Sequence, residues 1–360
     1  MRIVVHGYFG FRNVGEEGVL RVVLRMIRKI WKNAEIFILS EDPEWTEKMH
    51  KVKAVSRKPY SLRSLLTFMK SHVLLVADGE RTGFLSLLAY GWVPLAKLFR
   101  KRVIYLGVGI VPHVRRGIPI NPAEYRKKYP RMSMRFRILL RIILNSCDYI
   151  SVRDPLSAKI LLNLGIERAR IRLVSDLAMR LKASPKNRLL QIMKREGISP
   201  NLRPIIAVSL RNFADEHANR KVVVEIARFL NNLMSTHNVQ VVFLPFSRNP
   251  FIKFDDDLKI AQLLKRYLNK KGNLKIIKST LDPSDIKGII READLLIGER
   301  YHSVVFAFSE KTPTIALSYD VKVDEFCKRY GIQALSVHEF TAEALNKLLS
   351  GLSFNFERKY

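Results

Sequence analysis

A chain of 360 residues, 48% of them hydrophobic, is long enough for two cores and too apolar for a disordered segment. Its net charge is +30, yet Lys and Arg run from end to end. That spread argues against a nucleic-acid module and for anionic substrates or an anionic membrane face.

Apolar runs alternate with helical patterns along the whole chain. Strands are expected at 3–6, 35–39, 73–77, 103–108, 149–152 and 171–174, with helices at 19–31 and 155–164 among them. The first run stands where a leader would, so no targeting segment is expected and the expected location is cytoplasmic. The most apolar window, 84–99, holds Pro94 and Lys97 and falls short of a membrane span. Residues 131–144 place Arg135, Arg137 and Arg141 beside an apolar stripe. Such a helix either packs on its sheet or lies in a membrane interface, which would make the protein peripheral at the inner membrane face. A second series of strands begins at 205–209 and continues at 239–244, 274–277, 294–297 and 314–317. Its helices are expected at 221–234, 257–270 and 283–292.

Alternation of this kind predicts α/β structure with parallel sheets covered on both faces. The polar stretch between the two series divides them. The expected organisation is a Rossmann-like domain over 1–185, a linker over 186–204, a second Rossmann-like domain over 205–345 and a tail over 346–360. This is a glycosyltransferase-B-like architecture, with the active site expected in the cleft between the domains. Cys147 and Cys327 are the only cysteines; they exclude a disulfide framework and read as core residues. No Cys-x-x-Cys or His/Cys cluster points to a metal.

The segment Gly298-Glu299-Arg300-Tyr301-His302-Ser303 follows a strand and opens a helix. Open α/β sheets bind ligands at that edge, and a helix N-terminus favours an anion. Arg300 has the fork for a carboxylate or phosphate, and His302 titrates near neutral pH. The first strand-to-helix turn, Gly7-Tyr8-Phe9-Gly10-Phe11-Arg12-Asn13-Val14-Gly15-Glu16, lacks the glycine spacing of a dinucleotide fingerprint. Its aromatics Tyr8, Phe9 and Phe11 are expected at the surface as a sugar platform. Arg153-Asp154, Ser175-Asp176, Ser209-Leu210-Arg211 and Ser318-Tyr319-Asp320-Val321-Lys322 also lie just past strands, and their cations suit an anionic ligand.

Together these segments resemble the polysaccharide pyruvyl transferase family. The residues that carry the resemblance are the Gly7–Glu16 opening, Ser151-Val152-Arg153-Asp154, Ser209-Leu210-Arg211 and Leu244-Pro245-Phe246. Gly298 to Ser303 and Ala316 to Val323 complete it, in the family's order from residue 7 to residue 323. Asp78-Gly79-Glu80-Arg81-Thr82-Gly83 departs from the family's glycine-rich turn, which puts the acceptor side in doubt. The resemblance implies a transferase that ketalises sugar hydroxyls with pyruvate from phosphoenolpyruvate, for a cell-surface glycan or its precursor. It implies no cofactor and no metal. His302 is then the general acid, while Arg211, Arg300 and Lys322 hold the donor's carboxylate and phosphate. Arg153 would reach the ligand across the domains. Tyr8, Phe9, Gly10, Asn13, Glu16, Asp154, Ser209 and Tyr319 are the remaining substrate-binding candidates. The base stays open among Asp154, Asp176, Glu16 and Glu17, and Asp320 orients Lys322 or caps a turn. The expected partners are phosphoenolpyruvate and an anionic or lipid-linked glycan, with no nucleic acid.

Two other readings compete. A nucleotide-sugar glycosyltransferase would need a carboxylate for a ribose diol, and Asp255-Asp256-Asp257, expected as a solvated turn and helix start, offers three. A non-catalytic protein binding polyanions or membranes would rest on the charge and on residues 131–144.

Overall fold

Apolar runs without polar alternation are stable only when buried on both faces, and here they form two parallel sheets. The computed structural model describes residues 1–58, 61–77, 81–82, 91–111, 118–119, 133–201 and 204–352. By internal contacts these divide into a unit ending at Leu181 and a unit beginning at Lys182, with residues 118–119 grouping with the second.

The first unit holds β1 (Arg2–His6), β2 (Glu35–Ser40), β3 (Lys53–Ser56), β4 (Val73–Val76), β5 (Arg102–Val108), β6 (Tyr149–Val152) and β7 (Ile171–Leu173). They lie in the order β3-β2-β1-β4-β5-β6-β7, all parallel. A short parallel pair, Arg81–Thr82 with Ile110–Val111, stands apart. Its helices are α1 (Val14–Ile30), α2 (Pro43–His50), α3 (Leu62–Met69), α4 (Trp92–Leu98), α5 (Met134–Asn145) and α6 (Pro155–Asn163). Local chemistry sets their starts. Asn13 caps α1 by accepting from the N–H groups of Gly15 and Glu16, and Asp154 with Pro155 opens α6 in the same way.

The second unit repeats the plan after α7 (Lys186–Arg195). It contains β8 (Ile205–Ser209), α8 (Glu216–Thr236), β9 (Gln240–Phe243), α9 (Asp257–Tyr267), β10 (Leu274–Ile276) and α10 (Pro283–Glu292). Next come β11 (Leu295–Gly298), α11 (Tyr301–Glu310), β12 (Thr314–Ser318), α12 (Val321–Tyr330), β13 (Gln333–Ser336) and α13 (Ala342–Gly351). The strand order is β10-β9-β8-β11-β12-β13, again parallel. Strand order reverses between β1 and β4 in one sheet and between β8 and β11 in the other. Doubly wound sheets bind ligands outside the carboxyl ends at such points.

The stretch 186–204 is not bare linker: α7 folds onto the second unit. Leu189 packs over Gly288 of α10, where an added Cβ would meet its methyls at 2.6 Å, and Arg188 grips Asp285 through Nε at 2.6 Å and Nη2 at 2.7 Å. Likewise α13 runs into the expected tail, of which residues 353–360 lie outside the described residues. Cys147 and Cys327 are buried free thiols, and burial pushes both up to about 12. Among the described residues no helix is long and apolar enough to cross a membrane.

Candidate active site

In the second unit three neighbouring strands deliver the candidates to one edge. Ser209 ends β8, Arg300 and His302 follow β11, and Tyr319 and Lys322 follow β12. Gly298 lets β11 turn at once into α11, because a Cβ there would meet Ser303 Oγ at 2.9 Å and the Val304 side chain at 3.1 Å. His302 thereby falls in the first turn of α11, nearly buried and edge-on to Tyr301 at 5.0 Å.

Arg211 and Lys322 converge on one ring. Arg211 Nη1 donates to Tyr319 Oη at 3.1 Å, and its guanidinium lies 5.1 Å from the Tyr319 ring centroid and 5.5 Å from that of Phe213. Lys322 Nζ sits 5.5 Å from the Tyr319 ring. Asp320 caps α12 by accepting from the Lys322 N–H, and its Oδ2 stands 3.8 Å from Lys322 Nζ.

Arg300 does something else. Its Nε donates to Asp257 Oδ2 at 3.0 Å and its Nη2 to Asp257 Oδ1 at 2.5 Å, while Asp255 Oδ1 shares Nη2 at 2.7 Å. The fork expected to grip a substrate carboxylate grips a protein carboxylate instead. Asp257 in turn accepts from the N–H groups of Asn212, Phe246 and Ser247, so it ties the loops after β8 and β9 to Arg300. Asp255 and Asp257 are buried, not solvated. Burial works against both carboxylates, and the Arg300 guanidinium opposes it; at Asp255 the guanidinium wins and the carboxyl is held well below its usual range. Asp256 spends its side chain capping α9 at Leu258 N.

Glu299 stands between Gly298 and Arg300 in the same turn. It is wholly buried, and its Oε2 accepts the Arg211 N–H at 2.7 Å. Its Oε1 and the neighbouring Ser209 Oγ are buried without a hydrogen bond among the described residues. Burial pushes the Glu299 carboxyl up to about 8, although the Arg211 N–H and the Arg300 and Arg211 guanidiniums pull the other way. A neutral acid therefore lies against the backbone of Arg211 at neutral pH.

The first-unit candidates form two groups, after β1 and after β6, with β4 and β5 between them. The aromatic platform is not at the surface. Phe9 and Phe11 are buried, with Phe9 over Gly7; Tyr8 is half-buried and stacks on Phe11 at 3.9 Å. Gly10 takes φ +81°, which glycine tolerates, and its N–H donates to Glu17 Oε1 at 2.9 Å. Glu17 Oε2 lies 2.8 Å from His50 Nε2, so this carboxylate is committed to the turn. Asn13 caps α1, and Glu16 is buried in its first turn. Arg153 is buried against Asp176 at 3.1 Å and lies 3.8 Å from Asp154, so its charge is matched inside its own unit. Asp154 caps α6, and its carboxyl is raised by burial. The Asp78-Gly79-Glu80 turn lies outside the described residues. No cluster of metal-ligating side chains occurs among the described residues.

A family model, polysaccharide pyruvyl transferase, matches residues 13–321. This chain belongs to that family. Among curated proteins no match was found. Solved structures share the fold at low identity. UDP-GlcNAc 2-epimerase from Methanocaldococcus jannaschii aligns with TM-score 0.62 at 15% identity, over 100% of this chain and 94% of that one. A glycosyltransferase from Rickettsia africae aligns with TM-score 0.56 at 14% identity, over 97% and 87%. A UDP-GlcNAc 2-epimerase described from Listeria monocytogenes gives 0.60 at 12%, over 97% and 86%. These likenesses fix the glycosyltransferase-B-like fold of this family member and leave its donor to the chemistry of the site.

Proposed function

We propose that the protein transfers pyruvate from phosphoenolpyruvate to two hydroxyls of a sugar, forming a cyclic ketal on a cell-surface glycan or its precursor. The observation that carries this reading is the pairing of Arg211 and Lys322 around Tyr319, at the edge where His302 opens α11, in a chain of the pyruvyl transferase family. Phosphoenolpyruvate carries a carboxylate and a phosphate, so two fixed cations on one ring suit it. His302, in the first turn of a helix, would give a proton to the donor's methylene carbon and leave an oxocarbenium-like centre at C2. One sugar hydroxyl adds there, phosphate departs with the C2–O bond pair, and a second hydroxyl closes the ring. Of the two hydroxyl protons, one replaces that spent on the methylene carbon and the other leaves with phosphate. Arg300 acts through Asp257, holding the loops that carry the site. The acceptor is an anionic or lipid-linked glycan, met in the cytoplasm at the inner membrane face, and the reaction uses no cofactor.

The nucleotide-sugar reading is weaker on one specific point. It called on Asp255, Asp256 and Asp257 for a ribose diol, and each of them is taken by Arg300 or by a helix cap. The test is an incubation with phosphoenolpyruvate and a panel of sugar diols. Phosphate release that depends on acceptor, together with an acid-labile pyruvyl product, supports the proposal. Release of a nucleoside diphosphate from a nucleotide sugar, with phosphoenolpyruvate untouched, refutes it.

A further inference from the structure

The helices along one face of the first sheet leave an apolar surface whose exposed charges are mostly basic. α3, α4 and α5 follow β3, β4 and β5 in a single direction across that sheet. Their inner residues share one core: Phe68 packs on Trp92 at 4.9 Å, and both join Leu140 and Leu144. Outward, Leu62 is 70% exposed, Leu98 74%, Met134 69% and Ile142 63%, with Leu66 and Ile138 near half. Single exposed leucines are ordinary, but a run of them over three packed helices is not. None of the three helices contains Asp or Glu. Arg63, Lys70, Arg100 and Arg135 are exposed within or beside them, against one exposed acid, Asp148 just past α5, which pairs with Lys97 of α4 at 3.2 Å.

We propose that this face docks on an anionic lipid bilayer, its leucine and isoleucine side chains entering the acyl boundary while the arginines and lysines meet lipid phosphates. Charge selects the occupant. A second copy of a chain carrying +30 would set one basic face against another, and a nucleic-acid backbone has no use for an apolar centre. The helix expected over 131–144 is observed as Met134–Asn145, with Leu140 and Leu144 facing the core and Met134, Ile138 and Ile142 facing out. Docking is independent of the donor, so its test needs no activity measurement.

The intact protein is floated with vesicles of phosphatidylcholine alone and with vesicles containing about a quarter phosphatidylglycerol. Binding is expected only to the anionic vesicles and should weaken with salt. Ile138→Asp with Ile142→Asp should reduce it by about tenfold or more at an unchanged melting temperature, since both positions are exposed. Arg63→Glu with Arg135→Glu should do the same through charge. In a third variant, Ile142→Trp, the new indole should be quenched by brominated lipid tails, which keeps the test open if the aspartates impair folding. No binding to anionic vesicles overturns the proposal. So does undiminished binding of the aspartate pair, which would mean bulk charge alone, or a dimer in lipid-free buffer that this pair dissolves.

Discussion

Removing the Arg300 guanidinium would take from buried Asp257 its ion-pair partner and from buried Asp255 the stronger of two cationic neighbours, Arg211 being the other. Uncompensated buried charge costs about 3–5 kcal/mol, so Arg300→Ala should lower thermal stability by that amount even without ligand. Lysine should rescue little, since an ammonium cannot span both oxygens of Asp257 and reach Asp255 as the planar fork does. A melting curve checks both variants; unaltered stability would show that the network contributes little. His302→Ala should behave in the opposite way, keeping stability and phosphoenolpyruvate binding while turnover falls by roughly two to four orders of magnitude. Single-turnover kinetics on the folded variant decide this, and full turnover would move the acid elsewhere. Glu299 gives a pH signature. Its carboxyl titrates near 8 when folded and near the ordinary carboxyl value when unfolded, so from about pH 4.5 to 8 the folded state holds the extra proton. Stability from this group is complete at the acid end and is lost as pH rises toward 8. Relative to wild type, Glu299→Gln should therefore gain melting temperature from pH 5 to 8 and gain nothing further above pH 9; a difference independent of pH would contradict the assignment. The sequence shows that Arg211, Arg300, His302 and Lys322 stand at strand ends. It does not show that Asp257, 43 residues away, takes the Arg300 fork, because that pairing depends on how the loop after β9 folds back. The phenylalanines of the first turn mislead for a similar reason: a glycine-rich turn looks exposed until Phe9 is seen lying over Gly7.

At the scale of elements, the long apolar strands and several of the helices between them are legible because periodicity and caps agree, whereas α2, α3, α4, α12 and α13 are not. Pro283 after Asp282, for example, fixes the start of α10. β3 and β13 are not legible. Each has four residues and lies at or near a sheet edge, and Lys53 and Gln333 break the apolar run. α8 begins at Glu216 rather than 221, since its first turn, Glu216-His217-Ala218-Asn219, is polar and is held by the Asp215 cap, not by an apolar stripe. α7 was hidden in a stretch rich in proline and charge; Arg188 on Asp285 and Leu189 on Gly288 anchor it. Close packing of this kind predicts the effect of small substitutions. Gly7→Ala would put a Cβ 2.4 Å from both Ala77 O and the Phe9 ring, so it should cost about 1–3 kcal/mol and disturb the turn before α1. Gly272→Ala, with open space around it, should be nearly neutral. Melting temperatures of the pair test the packing directly, and equal values would mean that the turn can relax.

For the whole molecule, family membership and fold leave the donor as the decisive issue, since the structures aligned with this chain include UDP-sugar enzymes. A ligand that binds only the folded state stabilises it by about 2.7 kcal/mol at a hundredfold excess over its Kd, enough to read as a shift in melting temperature. The direct measurement is a thermal and calorimetric titration with phosphoenolpyruvate beside UDP-GlcNAc and UDP-glucose, on wild type and on Arg211→Ala. A charge-assisted contact is worth roughly 1.5–3 kcal/mol, so losing the Arg211 guanidinium should weaken donor binding roughly ten- to a hundredfold. The account predicts stabilisation by phosphoenolpyruvate, little response to either UDP-sugar, and a diminished phosphoenolpyruvate response in Arg211→Ala. Stabilisation by a UDP-sugar with none from phosphoenolpyruvate would contradict it.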